Sequence, residues 1–598
     1  MGPVPRPSDT RPGARRVYTS IPSACPTNSR GIARTWETPD LTVRRLDHGQ
    51  AVQRLMTVRE AFPSAIRFPA TNAGRAQLAV ALLVIYVCLF NGLNAFGLVG
   101  PDEPRYASIA RDMAADGDWI TPRLHGEPWL EKPILYYWVA AVGYQLFGDG
   151  ETAARFPSVT GAVATLLALG WLAFRFHGPN TAALFVLAFP SSIAVLVFAR
   201  AATTDMLFAS TLALAMAAAT PLLVIEQPRR KFMCQMAFGT ALGLSVLAKG
   251  PVGVLLAAGG SVMGALLSAQ FPRIWRLASP WSLASFGVVA IPWYLLCAAE
   301  NPEFLEFFLI SHNVERFLTP VFRHQQPFWF FGPVLLLGLA PWTATIVATL
   351  HDVTTRSSGR NWRGSPSMFL TGWVLFPVIF FSLSQSKLPG YVLPSVPAAV
   401  LLLAHVLASG IGNQTRARVL GLGAAASMGA IAVTFLIAPG VDSAGVEPGA
   451  VRPLALLLGT AALAASYLGY RRQLRATVTV SALGIALALW QLNTALMPRL
   501  DPLISSRVLA REATALTAGH QLRSFDLHRT WHYGLEYYLQ RPVAEWTTDV
   551  PQGTVVVTNL RGMRSMQLEG ASVLLLQDVS AEALIVRIDP EGERLTHR

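Results

Sequence analysis

The chain has 598 residues, with 48 Lys or Arg against 35 Asp or Glu, a net charge of +13. Hydrophobic residues make up 52% and charged residues 14%, where soluble domains carry about 25% charged, which argues against a wholly water-soluble protein. The four cysteines, Cys25, Cys88, Cys234 and Cys297, are scattered, so neither a disulfide framework nor a zinc knuckle is indicated.

Residues 1–75 mix Pro, Arg, Ser and Thr without a sustained period and hold twelve Arg against five acids. Such a stretch cannot bury enough apolar surface to offset its ordering entropy, so a disordered basic N-terminal tail is expected. It has no apolar core followed by a small-residue cleavage site, so it is not a secretory signal, and its charge is no evidence for nucleic acid. Met56, followed by TVRE and then the first apolar run, also serves as a start, and residues 1–55 are read as an over-extended gene start. A native peptide from before Met56 would refute that.

From residue 76 the chain becomes a series of apolar stretches long enough to cross about 30 Å of hydrocarbon as helix. They lie near 76–98, 153–176, 180–198, 205–225, 232–248, 251–269, 280–298, 328–349, 366–384, 391–411, 418–438, 453–470 and 476–497, thirteen spans in all. The shorter, aromatic-rich stretch 134–148 reads as a helix lying at the interface. Alternate connections carry EQPRRK, FPRIWR, TTRSSGRNWR, TRAR and YRRQLR, which hold thirteen Lys or Arg and are therefore placed in the cytoplasm. The N-terminus is then cytoplasmic, and the opposite connections, including 99–152, 199–204, 299–327 and 385–390, lie outside. So does the tail 498–598, where charge returns and β-rich runs at 555–559, 572–577 and 583–588 accompany a helix at YGLEYYLQ. The predicted fold is an all-α polytopic membrane domain over 76–497 with a small C-terminal α/β domain over 498–598.

Polar residues near membrane depth are costly, and here they gather on the outer face. Asp102, Glu103, Arg105 and Tyr106 follow the first span; Glu131 and Lys132 precede the interfacial stretch; Arg200 and Asp205 sit at the next outer connection. Lys249 separates two spans, the 299–327 loop offers His312, Glu315, Arg316, Arg323 and His324, and Lys387 and Tyr391 flank LPG. Singly, each has a plain explanation. Asp102 and Asp205 suit helix N-caps, Lys249 suits a snorkelling helix end, His312 suits a structural hydrogen bond, and Glu131 with Lys132 suits a surface ion pair. Together, carboxylates and cations at headgroup level suit a phosphorylated lipid, whose departing phosphate attracts Lys and Arg more strongly as the bond breaks.

PDEPRYASIARDM, GDWITPRLHGEPWLEKPILYYW and ARAATTDMLF resemble the GT-C integral-membrane glycosyltransferases, in the branch that contains the protein O-mannosyltransferases. FFLISHNVERF and SKLPGYVLPSVPA are similar to the bacterial lipid A aminoarabinose transferases within it. The resemblance runs over about 76–590. It implies an inner-membrane enzyme that transfers 4-amino-4-deoxy-L-arabinose from undecaprenyl phosphate to lipid A phosphates on the periplasmic face, lowering affinity for polymyxin and other cationic peptides. Asp102 and Glu103 then match the catalytic acidic motif, and Asp205 the second acidic site. An anionic acceptor phosphate needs no base, so Asp102 is expected to orient the reacting groups. Lys132, Arg105 and Lys249 would hold the two phosphates, and Tyr106, Arg316, Lys387 and Tyr391 would bind substrate. A weakly held divalent metal, zinc foremost, is placed on Glu131 and His312, with no organic cofactor. The rival functions are transfer of another polyprenyl-linked sugar to protein or glycan, and a polyprenyl-sugar transporter, which the one-sided polar cluster and the lack of an internal repeat disfavour.

Overall fold

A computed structural model describes residues 72–308, 325–346, 365–437, 448–517, 519–580 and 582–589. The expected N-terminal tail lies outside these residues up to residue 71. In chain order the helices are α1 (Asn72–Leu89), α2 (Asp102–Asp116), α3 (Leu135–Phe147), α4 (Glu151–His177), α5 (Pro179–Ala188), α6 (Ile193–Phe198), α7 (Thr204–Val224), α8 (Lys231–Lys249), α9 (Val252–Leu267) and α10 (Pro280–Glu300). They continue with α11 (Phe304–Glu306), α12 (Phe331–Gly338), α13 (Pro366–Ser382), α14 (Val396–Ser409), α15 (Gln414–Ile437), α16 (Pro448–Tyr470), α17 (Leu474–Gln491), α18 (Met497–Ile504), α19 (Arg507–Thr517), α20 (Arg529–Leu539) and α21 (Leu560–Leu568). A two-residue hairpin, β1 (Arg123–Leu124) and β2 (Glu127–Pro128), precedes α3.

Among the described residues eight helices are long and apolar enough to cross a membrane, and four shorter apolar ones accompany them, so the chain is a multi-span membrane protein. Their burial sorts them. Thr204–Val224 is 83% buried and forms the centre, packed on α4 and α8, whereas Pro280–Glu300 is 28% buried and turns Val288 and Leu295 outward. In water that exposure would be costly; against lipid it is not.

Among the described residues four expected spans are interrupted, and in 328–349 the helix stops at Gly338 with turns over 339–343. The first helix stops at Leu89 rather than running to 98, because Asn91 and Gly92 turn the chain, Gly92 with φ +70°, and two arginines take the carbonyls that follow. The 180–198 stretch breaks at Pro190, which has no N–H to give, and the Ser191 and Ser192 hydroxyls donate back to Leu187 and Ala188 carbonyls. The 391–411 stretch begins as a 3-10 turn, Pro389–Ser395, whose prolines disfavour a regular α-helix, before α14.

After α19 comes a four-stranded sheet in the order β3-β4-β6-β5, made of β3 (Leu522–Phe525), β4 (Val555–Thr558), β5 (Val573–Ser580) and β6 (Ala583–Ile588). β3 and β4 are parallel, so a crossover must join them, and α20 lies within it. β4 and β6 run antiparallel with Val556 opposite Val586. Central β4, VVVT, is buried on both faces: Val555 and Val557 meet Leu509, Trp531 and Leu535, while Val556 meets Trp546 and Met566. Helix α20 also packs against α2, which brings this sheet region to the outer loop.

Candidate active site

Gly100, with φ +70°, turns the chain into α2, whose first turn begins with two adjacent carboxylates. Both sit where the helix dipole favours negative charge, yet they face different surroundings. Glu103 is 6% exposed. Its Oε2 accepts from the Val99 N–H at 2.8 Å and from Arg155 Nη2 at 2.9 Å, and its Oε1 accepts from the Ala202 N–H at 2.7 Å. Arg155 is wholly buried and also donates to the carbonyls of Phe96 and Gly97 at 3.1 and 2.9 Å. A carboxylate so engaged ties the start of α2 to Arg155 of α4 and to the Ala202 backbone, where the sequence had suggested a catalytic role for Glu103.

Asp102, by contrast, is half-exposed and caps nothing with its side chain. It accepts a 2.5 Å hydrogen bond from Arg105 Nη2. The Arg105 guanidinium is buried among aromatic rings, 4.6 Å from Trp129, 5.4 Å from Tyr533 and 5.6 Å from Tyr106. Burial opposes its charge, but Tyr106, Asp102 and Glu131 outweigh that and hold its pKa above the ordinary value. Three buried donors here, Arg105 Nε, Trp129 Nε1 and the Tyr137 hydroxyl, have no partner among the described residues, which is costly unless water or a ligand supplies one. Tyr106 lies in a cluster with Tyr136 and Tyr137, centroids 5.9 and 6.0 Å away. Its pKa is raised, first by burial and then by the charges of Asp102, Glu131 and Asp205. Glu131 and Lys132, half-buried, lie on the stretch from β2 to α3.

A second ion pair lies at the ends of two apolar helices. Asp205, in the first turn of α7, accepts from Lys249 Nζ at the last residue of α8, just before Gly250 and Pro251. The ammonium is 5.5 Å from the rings of Phe208 and of Tyr391. Gly390 comes so near that a Cβ there would stand 3.2 Å from the Asp205 Cγ. Two links tie this pair to the first. Glu103 bonds Ala202, three residues before Asp205, and the Tyr106 phenol is in electrostatic range of Asp102, Glu131 and Asp205 together. Lys387 is buried and donates at 2.6 Å to the Ser384 carbonyl of its own loop. His312 and Arg316, with Glu315, Arg323 and His324 of the same loop, lie outside the described residues. So does half of the expected metal pair. No three His, Cys, Asp or Glu side chains converge among the described residues, where a catalytic zinc takes three protein ligands.

Several residues that build the site escaped the sequence. Arg155 had a signal, a charge inside an apolar stretch, but not its partner. The C-terminal contribution had none. Asp501 accepts from the Gly97 N–H at 2.7 Å, and the Tyr538 hydroxyl accepts from the Leu98 N–H at 2.9 Å while donating to Glu151 at 2.8 Å. Glu536 of α20 is met on one oxygen by His125 Nε2 at 3.0 Å and on the other by His532 Nε2 at 3.3 Å.

The family model for dolichyl-phosphate-mannose-protein mannosyltransferase matches residues 76–308. The chain is also similar to crystal structures of ArnT from Cupriavidus metallidurans. In the one bound to undecaprenyl phosphate the TM-score is 0.72 at 25% identity, covering 87% of this chain and 98% of that one. The chain shares the fold of that membrane protein. In the apo ArnT structure the TM-score is 0.68 at 26% identity, over 86% of this chain and 97% of that one. Among curated relatives, the undecaprenyl phosphate-alpha-4-amino-4-deoxy-L-arabinose arabinosyl transferase of Edwardsiella ictaluri is 33% identical over 343 residues, and that of Yersinia enterocolitica is 30% identical over 365. The matched stretches cover 56% and 60% of this chain, and 59% and 63% of those relatives, less than two thirds of their length.

Proposed function

We propose that the chain transfers 4-amino-4-deoxy-L-arabinose from undecaprenyl phosphate to a lipid A phosphate, at the outer face of the bacterial inner membrane. The observation that carries this reading is the buried Arg105 guanidinium, gripped by rings and by Asp102, whose Nε and two neighbouring donors, Trp129 Nε1 and the Tyr137 hydroxyl, lack a partner among the described residues. It is a site for an anion at the mouth of a helix bundle. The likeness to arabinosyl transferases over more than half of the chain supplies the sugar and its carrier.

In this reading thirteen spans place the N-terminus in the cytoplasm and the loop 99–152, Lys249 and the α/β domain over 498–598 in the periplasm. The acceptor phosphate oxygen attacks the anomeric carbon as the bond from that carbon to the lipid phosphate breaks. The bonding pair leaves with undecaprenyl phosphate, and the anomeric configuration inverts. No proton is removed from the acceptor. Asp102, half-exposed beside Arg105, orients the sugar, while Arg105 and Lys132 meet the leaving phosphate, where negative charge builds. Asp205 and Lys249 form a pair that an ammonium and a phosphate of the substrates can share between them. A divalent ion on Glu131 and His312 is a separate proposal, checked by metal analysis of dialysed protein with and without His312→Ala.

Mass spectrometry of lipid A from cells carrying or lacking the gene tests the function. Addition of aminopentose that depends on the gene and is lost with Asp102→Asn supports it. Unchanged lipid A with glycosylated protein would assign the chain to another acceptor, and accumulation of a lipid-linked sugar on one membrane face without any transfer would make it a transporter.

A further inference from the structure

Helix α20 belongs to the C-terminal sheet region, yet one of its faces is built to hold the outer loop. Residues three and four apart on a helix are neighbours, and Tyr533, Glu536 and Tyr537 are so spaced. Each grips a different point. Tyr533 lies against Arg105, Glu536 takes His125 of the β1–β2 hairpin, and Tyr537 meets α2 and α3. The Tyr537 ring is 4.9 Å from the Arg111 guanidinium, its carbonyl accepts from Arg111 Nη1 at 2.8 Å, and its hydroxyl is 3.0 Å from that of Tyr144. This part of the sheet region is therefore docked against the site.

We propose that Tyr533 is a positioning residue for Arg105, so that the C-terminal region completes the phosphate-binding site. The proposal rests on the reading of Arg105 as a lipid-phosphate ligand. Its physical basis is the difference between holding a guanidinium by carboxylates and holding it by rings. A carboxylate consumes N–H donors, whereas a ring face attracts the charge and leaves those donors for another acceptor. Arg105 has one carboxylate, Asp102 on Nη2, and rings of Trp129 at 4.6 Å, Tyr533 at 5.4 Å and Tyr106 at 5.6 Å surround the rest of it. Two of these rings come from the outer loop, and Tyr533 is the one that α20 supplies. Its Nε is buried and has no partner among the described residues. A ring-held arginine with donors to spare is suited to meet phosphate oxygens without first breaking an ion pair.

The test is a double-mutant cycle on the full-length chain in lipid nanodiscs, reading the Kd for undecaprenyl phosphate. Tyr533→Ala is expected to weaken binding about tenfold, and Tyr533→Phe, which keeps the ring face, to stay within about twofold of the parent. In an Arg105→Ala background, Tyr533→Ala should add nothing further. Tyr533→Leu, which keeps bulk without a ring, serves the same purpose should the alanine variant fail to fold, and should match its tenfold loss. Binding unchanged in the Ala or Leu variant, a Phe variant as weak as Ala, or additive losses in the cycle would overturn the proposal. If the parent binds and Arg105→Ala weakens it while Tyr533 variants do not, the proposal alone fails. If the parent does not bind undecaprenyl phosphate, the functional reading fails with it.

Discussion

Two acid–cation pairs face the candidate site, and they are made in opposite ways. In the Asp102–Arg105 pair the cation is sheltered and the acid is open: the side chains are 10% and 52% exposed. In the Asp205–Lys249 pair the two are hidden about equally, at 24% and 20%. The first is assembled from the outer loop and α20, the second from the ends of α7 and α8 and the 389–395 turn. The difference is one of readiness. Arg105 is held largely by rings and keeps donors for an anion, whereas the Lys249 ammonium is already met by a carboxylate. Under the proposed function the first pair is a resting phosphate site, and the second is a closed pair that substrate charges must open.

The largest effect comes from breaking what the two share. Removing Glu103 leaves Arg155 buried without its carboxylate, and Glu103→Ala is expected to destabilise the protein by about 3–5 kcal/mol. Thermal unfolding in detergent checks this; a Tm equal to the parent's would show that Glu103 is not structural. Asp102→Asn should instead leave the Tm within a degree or two while reducing transfer at least about a hundredfold, since its neighbour and not this residue carries the fold. Next, Arg105→Ala should weaken undecaprenyl phosphate binding more than Lys249→Ala does. Equal losses in a titration of both variants would erase the distinction between a ready site and a closed pair. Gly390→Ala is a finer probe, since the new methyl would stand 3.1 Å from the Phe198 ring and 3.2 Å from the Asp205 carboxyl carbon, crowding the pair. A fall in transfer of about three- to tenfold with the fold intact is expected, where the alanine is otherwise harmless.

The smallest effect concerns pH, and only the first region. Its hydrogen bond to Glu536 comes first among the causes that raise the pKa of His125, with Asp112 adding to it and burial and Arg111 opposing. Burial works against the Glu536 carboxylate, but hydrogen bonds from His125, His532 and the Val543 N–H outweigh it and lower its pKa to about 2. A raised histidine stabilises the docked hairpin fully below its unfolded pKa of about 6.5, and that contribution is lost as pH rises through the folded value. The Glu536 contribution is present above the usual carboxylate range and is lost only as pH falls toward 2. Hydrogen exchange of residues 123–128, corrected for intrinsic rates, should therefore quicken from pH 6 to pH 8.5, and His125→Ala should flatten that change. An unaltered slope in the variant would show that His125 is not the group responsible.

The sequence carried the membrane character plainly, because apolar length is what the bilayer demands, and it carried the acids and cations because charge is conspicuous beside such runs. It was weaker wherever a proline or a glycine turn cut an apolar run, as after Leu89 and at Pro190. Among the strands, VVVT, SVLLLQ and ALIVRI announced themselves, but LRSF did not, being four residues long with Arg and Ser inside it. Asp102 and Glu103 looked alike in sequence. What separates them is Arg155, 52 residues on, and the Ala202 N–H, 99 residues on, and no local pattern foretells such pairings. Tyr533 and Glu536 sat in a helix that the sequence did reveal, but their contacts cross more than 400 residues.

Both acids can be tested at once. With the native cysteines replaced, Asp102→Cys and Asp205→Cys are exposed in turn to a membrane-impermeant maleimide in spheroplasts, with and without added undecaprenyl phosphate. Each is expected to be labelled from outside, with the lipid phosphate protecting both over the same concentration range. Labelling of either one only after the membrane is opened, or protection of one without the other, would contradict a single outward site.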